Sequence, residues 1–130
     1  MSDTIKYPVT PEAAGWKHVP KAFSLATQVG NLIFVSGQAS TDENGQIIPG
    51  TFEEEFRRSM ENMRRILVAA GSDFSKVVQV RSYVRDAANL KLYNEIYREY
   101  FPEPSPARTT LSGCLTEALH FEVECIAVVD

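Results

Sequence analysis

The sequence lacks the features that mark membrane, disulfide-rich and metal-binding proteins. No apolar run among its 130 residues approaches the length of a membrane span. Cys114 and Cys125 are too few for a disulfide framework, and we expect them to be buried thiols. His18 and His120 lie far apart, with no cysteine or carboxylate at a recognised ligand spacing. We therefore expect neither a metal nor another cofactor.

Positive charge is also scarce. The chain has 13 lysines and arginines against 17 aspartates and glutamates, and the two signs are interspersed. Nucleic-acid binding depends on a concentrated positive face, so we expect no nucleic-acid partner and no membrane partner. Residues 1–4 contain neither a basic region nor an apolar signal core, which predicts a cytoplasmic protein.

The length and the even composition predict one domain over residues 1–130. Residues 1–21 are rich in proline, threonine and alanine and are interpreted as an N-terminal arm with little regular structure. Hydrophobic periodicity in the rest predicts the order strand, strand, helix, strand, helix, strand, strand. The strands are expected over residues 24–29, 32–39, 77–85, 108–112 and 121–129, and the helices over 51–71 and 89–101.

Short-range signals support two of these elements. Gly30-Asn31 between the first two strands is typical of a hairpin turn. Thr51 followed by Glu54 matches the capping box of a helix N-terminus, and Gly71 suits its C-terminus. We therefore predict an α+β fold, a single mixed sheet with both helices packed on one face.

The other face of such a sheet has nothing to cover it in a chain of this length. Another copy of the chain is the simplest cover, which predicts a homo-oligomer. Arg81, Tyr83 and Arg85 alternate with valines and serine on one predicted strand, and we interpret this basic and aromatic face as an intersubunit surface.

Charged residues on the last two strands are candidates for chemistry. Arg108 carries a planar fork of donors that matches a carboxylate. Glu122 and Glu124 share one face of their strand, roughly 7 Å apart, and their proximity would raise the pKa of one of them. A carboxyl of this kind beside a positioned water is what hydrolysis of an anchored substrate requires. The residues alone, however, favour a structural ion pair between Arg108 and Glu122 over a catalytic pair.

Several short stretches, taken in order, resemble the Rid (reactive intermediate deaminase) family, also called YjgF or endoribonuclease L-PSP-like. They cover nearly all of the chain from Pro20 onward and read Val35-Ser36-Gly37-Gln38, Leu67-Val68-Ala69-Ala70-Gly71, Tyr93-Asn94-Glu95-Ile96-Tyr97, Pro106-Ala107-Arg108 and Phe121-Glu122-Val123-Glu124. The resemblance implies a chorismate-mutase-like fold, a trimer around a central β-barrel, and clefts between subunits.

The resemblance also implies an activity, the hydrolysis of reactive enamines and imines to a 2-keto acid and ammonia. The matching arginine, Arg108, would bind the substrate carboxylate, and the matching glutamate, Glu122, would hold the attacking water. Residues that match the cleft lining are Phe23, Gly37 and Asn94, and Thr110 stands near the position where some members carry a cysteine.

The chain departs from the archetype where Lys21-Ala22-Phe23-Ser24 replaces Gly-Pro-Tyr-Ser, so Phe23 lacks the usual hydroxyl. Two further hypotheses therefore stay open. The substrate is either small, like 2-aminoacrylate and 2-iminopropanoate, or a bulkier amino-dienoate. Alternatively, the protein is a binding module that senses 2-keto acids or related small carboxylates without turnover. A ribonuclease role is disfavoured by the acidic balance and by the lack of a histidine pair.

Overall fold

The computed structural model describes residues 4–130, which form one mixed sheet and two α-helices. The helices are α1 (Phe52–Ala69) and α2 (Leu90–Tyr100), and the strands are β1 (Ala26–Val29), β2 (Leu32–Ala39), β3 (Val77–Val84), β4 (Ala107–Ser112) and β5 (Phe121–Val128). The order predicted from the sequence is confirmed.

The five strands lie in the order β1-β2-β5-β3-β4. β3 and β4 run parallel, and every other neighbouring pair is antiparallel. The β1–β2 hairpin pairs Val29 with Leu32, and Gly30 at its turn has a φ of 59°, a left-handed conformation that glycine adopts without strain. A mixed sheet of this kind confirms the predicted α+β class.

Helix α1 begins with the predicted capping box. Thr51 Oγ1 accepts a hydrogen bond from the Glu54 backbone N–H at 3.1 Å, and Glu54 Oε1 accepts one from the Thr51 N–H at 2.8 Å. The two bonds satisfy donors that the first helical turn leaves open. After the helix, Gly71 has a φ of 87°, which lets the chain turn back toward β3.

Both helices cover the same face of the sheet, which is called the helix face here. Alternate residues of β5 point into it and are buried, among them Phe121, whose ring stacks on Phe56 of α1 with 4.2 Å between centroids. The intervening β5 residues are only half-buried, and on β2 the side chains of Leu32 and Phe34 are exposed. This open face carries large apolar side chains that the described chain leaves uncovered.

The N-terminal arm packs against the domain. Lys6 forms an antiparallel bridge with Gln28 of β1, and a single 3₁₀ turn spans Glu12–Ala14. Val9 and Ala14 are buried in the core. The arm therefore has little regular structure, as predicted, but its apolar side chains contribute to the core. Across residues 4–130, no helix combines the length and the apolar character that crossing a lipid bilayer requires.

A buried carboxylate fixes the start of β5. Glu55 of α1 is 1% exposed, and its oxygens accept hydrogen bonds from the backbone N–H groups of His120, at 2.8 Å, and Gly50, at 3.2 Å. The His120 Nδ1 atom lies 2.6 Å from the same carboxylate. Because buried polar groups need partners, this cluster holds the chain in place two residues before Glu122.

Candidate active site

Arg108 lies on the edge strand β4 and points to the helix face. In the parallel register it pairs with Val80, a buried residue of β3, so the two side chains share that face. The Arg108 guanidinium lies 4.7 Å from the ring centroid of Tyr97 and 5.2 Å from that of Tyr93. Its Nη1 donates a hydrogen bond to Asn94 Oδ1 at 2.9 Å.

The two tyrosine rings contact the face of the guanidinium, and Asn94 binds one of its nitrogens. Within residues 4–130, Arg108 forms no salt bridge, so its charge is available to an incoming anion. Aromatic rings beneath a guanidinium favour the cation and fix its plane. The geometry suits binding of a carboxylate through two parallel hydrogen bonds.

Thr110 supports the aromatic platform from the same strand. Its Oγ1 donates to the Tyr93 hydroxyl at 3.1 Å, and that hydroxyl donates to Ser82 Oγ at 2.8 Å. The chain of hydroxyls fixes Tyr93 under the guanidinium of Arg108. A direct contact between Thr110 and a substrate stays a prediction.

A shallow depression of about 250 Å³ adjoins Arg108, and Asn94, Tyr97 and Ser105 contribute to its lining. Burial raises the pKa of Tyr97 to about 12. In the sequence analysis Tyr93 and Tyr97 belong only to a family motif on a predicted helix, and their role beneath Arg108 was missed. The spacing of residues 93, 94 and 97 places them on one face of a helix, which would have indicated that both tyrosines lie beside the predicted site residue Asn94.

Glu122 lies on β5 and points to the open face. Its Cα partners are Ala39 on β2 and Tyr83 on β3. A β-bulge interrupts β2 between Val35 and Gln38, and Gly37 within it lies directly against the glutamate. A Cβ atom added to Gly37 would lie 2.3 Å from Glu122 Oε2. An alanine at position 37 would therefore push the Glu122 carboxylate aside, and the bulge brings the backbone of residue 37 close to that carboxylate.

The surroundings of Glu122 favour its protonated form. Partial burial raises the pKa of Glu122 above its ordinary value, and the charge of Glu124 raises it further. Glu124 accepts a hydrogen bond from the Tyr83 hydroxyl at 2.6 Å and lies 3.6 Å from Arg81 Nη1. The predicted effect of paired carboxylates is confirmed in direction, although burial is its larger cause.

Phe23 lies just before β1 and is exposed. The two residues after it are tied to β2, because the Ser36 hydroxyl donates to the Ser24 carbonyl and the Ser36 N–H donates to the Leu25 carbonyl at 3.0 Å. Since Gly37 follows directly and contacts Glu122, Phe23 belongs to the same end of the sheet as Glu122.

The predicted site residues thus form two groups that one chain does not bring together. The Arg108 half-site consists of Arg108 and Thr110 on β4, which face the helices, and Asn94 on α2. The Glu122 half-site consists of Glu122, Gly37 and Phe23, with Glu122 on the open face.

Strand β3 separates β5 from β4, so the two charged residues differ in both strand and face. Among the described residues no salt bridge joins Arg108 to Glu122, and the hypothesis of a structural ion pair within the chain is wrong. No three metal-binding side chains of residues 4–130 cluster closely enough to hold an ion.

Known proteins share both the sequence and the fold. A 2-iminobutanoate/2-iminopropanoate deaminase of Mus musculus is 38% identical over 108 residues, covering 82% of this chain and 80% of the relative. The chloroplastic Reactive Intermediate Deaminase A of Arabidopsis thaliana is 36% identical over 126 residues, covering 93% and 67% respectively.

A crystal structure of a putative endoribonuclease from Thermotoga maritima superposes with a TM-score of 0.81 at 34% identity, covering 96% of this chain and 98% of that one. The family model described as endoribonuclease L-PSP matches residues 17–129. The chain therefore belongs to the endoribonuclease L-PSP family, which is the Rid family that its motifs predicted.

Proposed function

We propose that the protein is a hydrolytic deaminase of reactive imines and enamines, which converts 2-imino acids to 2-keto acids and ammonia. The observation that carries the proposal is the Arg108 guanidinium, held on two tyrosine rings and by Asn94 with no salt-bridge partner among the described residues. Membership of the family supports it, as does a relative named for the deamination of 2-iminobutanoate and 2-iminopropanoate.

Each step of the reaction has a candidate residue. Arg108 binds the substrate carboxylate through its free donors and orients the C=N bond. Glu122 takes a proton from a bound water as the water oxygen bonds to the carbon of the protonated imine, and a neutral carbinolamine forms. Glu122 then gives that proton to the amine nitrogen. As the C–N bond breaks and ammonia leaves, Glu122 takes the hydroxyl proton and the C=O bond forms.

The raised pKa of Glu122 suits this exchange, because a carboxyl that titrates nearer neutrality is a better proton donor without ceasing to be a base. Gly37 keeps space beside its Oε2 for the water or the substrate. Phe23 and Asn94 complete the lining of the cleft.

The two half-sites work together only if they come from different copies of the chain. We infer a homotrimer in which the β4 edge of one subunit meets the Glu122 half-site of the next, three times around a closed ring. The exposed apolar residues Leu32, Phe34 and Leu111 support this, since another subunit would bury them. Arg81 and Tyr83 would then lie at or near the interface. Native mass spectrometry should detect three chains, and a stable monomer would contradict the assembly.

A binding module that senses 2-keto acids is the alternative, because the held guanidinium would serve it equally well. The two differ at Glu122, which only turnover requires. A cytoplasmic location also stays a prediction, since the Arabidopsis relative is named as chloroplastic.

The test generates 2-iminopropanoate in situ with an amino-acid oxidase and follows loss of the imine by trapping with semicarbazide. The wild-type protein should accelerate that loss. Glu122→Gln should reduce turnover by on the order of a hundredfold or more while leaving 2-keto acid binding intact. Arg108→Ala should abolish both. A wild-type protein that binds 2-keto acids but hydrolyses no imine would favour the sensor, and full activity in Arg108→Ala would reject Arg108 as the group that binds the carboxylate.

A further inference from the structure

Exposed apolar side chains surround Phe23. Tyr7 is 66% exposed, Val19 69% and Phe23 itself 51%, although each carries a large apolar surface. Together with neighbouring residues they line a cavity of about 150 Å³, here called the apolar pocket. Its lining includes Tyr7, Val9, Val19, Pro20, Phe23 and Leu25. None of the lining residues carries a charged side chain.

The apolar pocket adjoins the Glu122 half-site. Ser24 and Leu25 contribute to the pocket and accept hydrogen bonds from Ser36 through their carbonyl groups. The next residue, Gly37, lies against the Glu122 carboxylate. The pocket therefore begins within a few residues of the group that would hold the attacking water.

The pocket has the size and character to accept a side chain. The pocket is open to solvent, and its volume equals that of an enclosed apolar cavity that takes up a benzene ring, roughly 150 Å³. Phenylalanine at position 23 presents a ring with no hydroxyl. It therefore cannot form a hydrogen bond with a polar group on the side chain of a substrate. A methyl-sized side chain would leave most of the pocket empty.

We propose that the substrates are 2-imino acids with branched aliphatic or aromatic side chains, which the apolar pocket receives while the imine carbon lies at Glu122. The inference rests on the proposed deaminase function and narrows it to one substrate class. Each buried CH₂ group should raise kcat/KM by about fourfold. The imines of leucine and phenylalanine should therefore exceed the imine of alanine by at least on the order of tenfold.

The experiment compares these three imines, generated from the amino acids by an oxidase and followed by semicarbazide trapping. Three variants are measured beside the wild type. Phe23→Ser and Val19→Ser each remove one apolar wall. Val68→Ser is the matched control, because Val68 is an exposed valine on α1, away from the pocket. The wild-type preference for the large imines should fall by at least about fivefold in both pocket variants and stay unchanged in the control.

The outcomes separate the inference from the function on which it rests. Hydrolysis of the alanine imine with equal or lower rates for the large ones overturns the inference and leaves the deaminase intact. No hydrolysis of any imine overturns both. If Phe23→Ser fails to fold, Val19→Ser and calorimetry of the wild type test the substrate preference instead. In calorimetry, 4-methyl-2-oxopentanoate should bind to the wild type at least about tenfold more tightly than 2-oxopropanoate. Pocket variants that change the oligomeric state but not the preference would show that another copy covers the pocket, which also overturns the inference.

Discussion

Arg108 and Glu122 lie on different strands and opposite faces of the sheet, so we predict that two inactive variants restore activity to each other. Arg108→Ala removes the carboxylate anchor and Glu122→Gln removes the base. Each variant alone should be inactive. If every active site takes its arginine from one subunit and its glutamate from the next, a mixed trimer contains some sites in which both residues are intact.

The expected recovery follows from counting. A site is intact when the subunit that supplies Arg108 is the Glu122→Gln variant and its neighbour is the Arg108→Ala variant. With equal amounts and random assembly each condition holds half of the time, so about a quarter of all sites are intact. The recovered activity should be about a quarter of the wild-type value, with KM unchanged in the intact sites.

Co-expression of the two variants with different affinity tags, followed by purification through both tags in turn, yields mixed assemblies for the imine assay. Selection for both tags raises the intact fraction to about a third, because pure trimers are removed. Each variant co-expressed with itself is the control. Assemblies of both variants that stay as inactive as the controls would refute a site shared between subunits.

Four further changes test individual residues. Arg108→Lys keeps the charge but loses the fork, and should weaken carboxylate binding by about 2 kcal/mol, or about 30-fold in KM; an unchanged KM would exclude two-bond recognition. Gly37→Ala should reduce kcat on the order of 100-fold with an unchanged melting temperature, because the Glu122 carboxylate must move by about 1 Å. Glu124→Gln should shift the acidic limb of the pH profile of kcat/KM downward, since Glu124 helps to raise the pKa of Glu122, whose deprotonated form is the base. Glu55→Ala should lower the free energy of unfolding by about 3 kcal/mol in denaturant titrations, because it leaves two part-buried backbone N–H groups without their acceptor; a change below 1 kcal/mol would contradict the role of that cluster.

Elements whose signals are local were predicted from the sequence. The Thr51 and Glu54 capping box, the Gly30-Asn31 turn and the period-two pattern of β5 each depend on residues a few positions apart. Their order then limited the fold to one sheet with two helices on one face. Gly37 was predicted only as a residue of the cleft lining, and its close approach to Glu122 became visible in the folded chain.

The placement of the candidate site residues needed the tertiary structure. Arg108 faces the helices because β4 pairs in parallel with β3 and Arg108 aligns with Val80, and a shift of one residue would turn it to the opposite face. Tyr97 lies beneath it because α2 packs on the face of the sheet to which Arg108 points.

Residue types and spacing therefore predicted which groups are candidates for the chemistry, while strand register between distant segments decided which of them lie together. Local propensities act within a few residues, whereas register depends on burial of whole faces and on the β2 bulge that places Gly37 against Glu122. For that reason Arg108 and Glu122 were predicted from the sequence, and only the folded chain shows that they lie on opposite faces of the sheet, which is why the proposed site requires a second subunit.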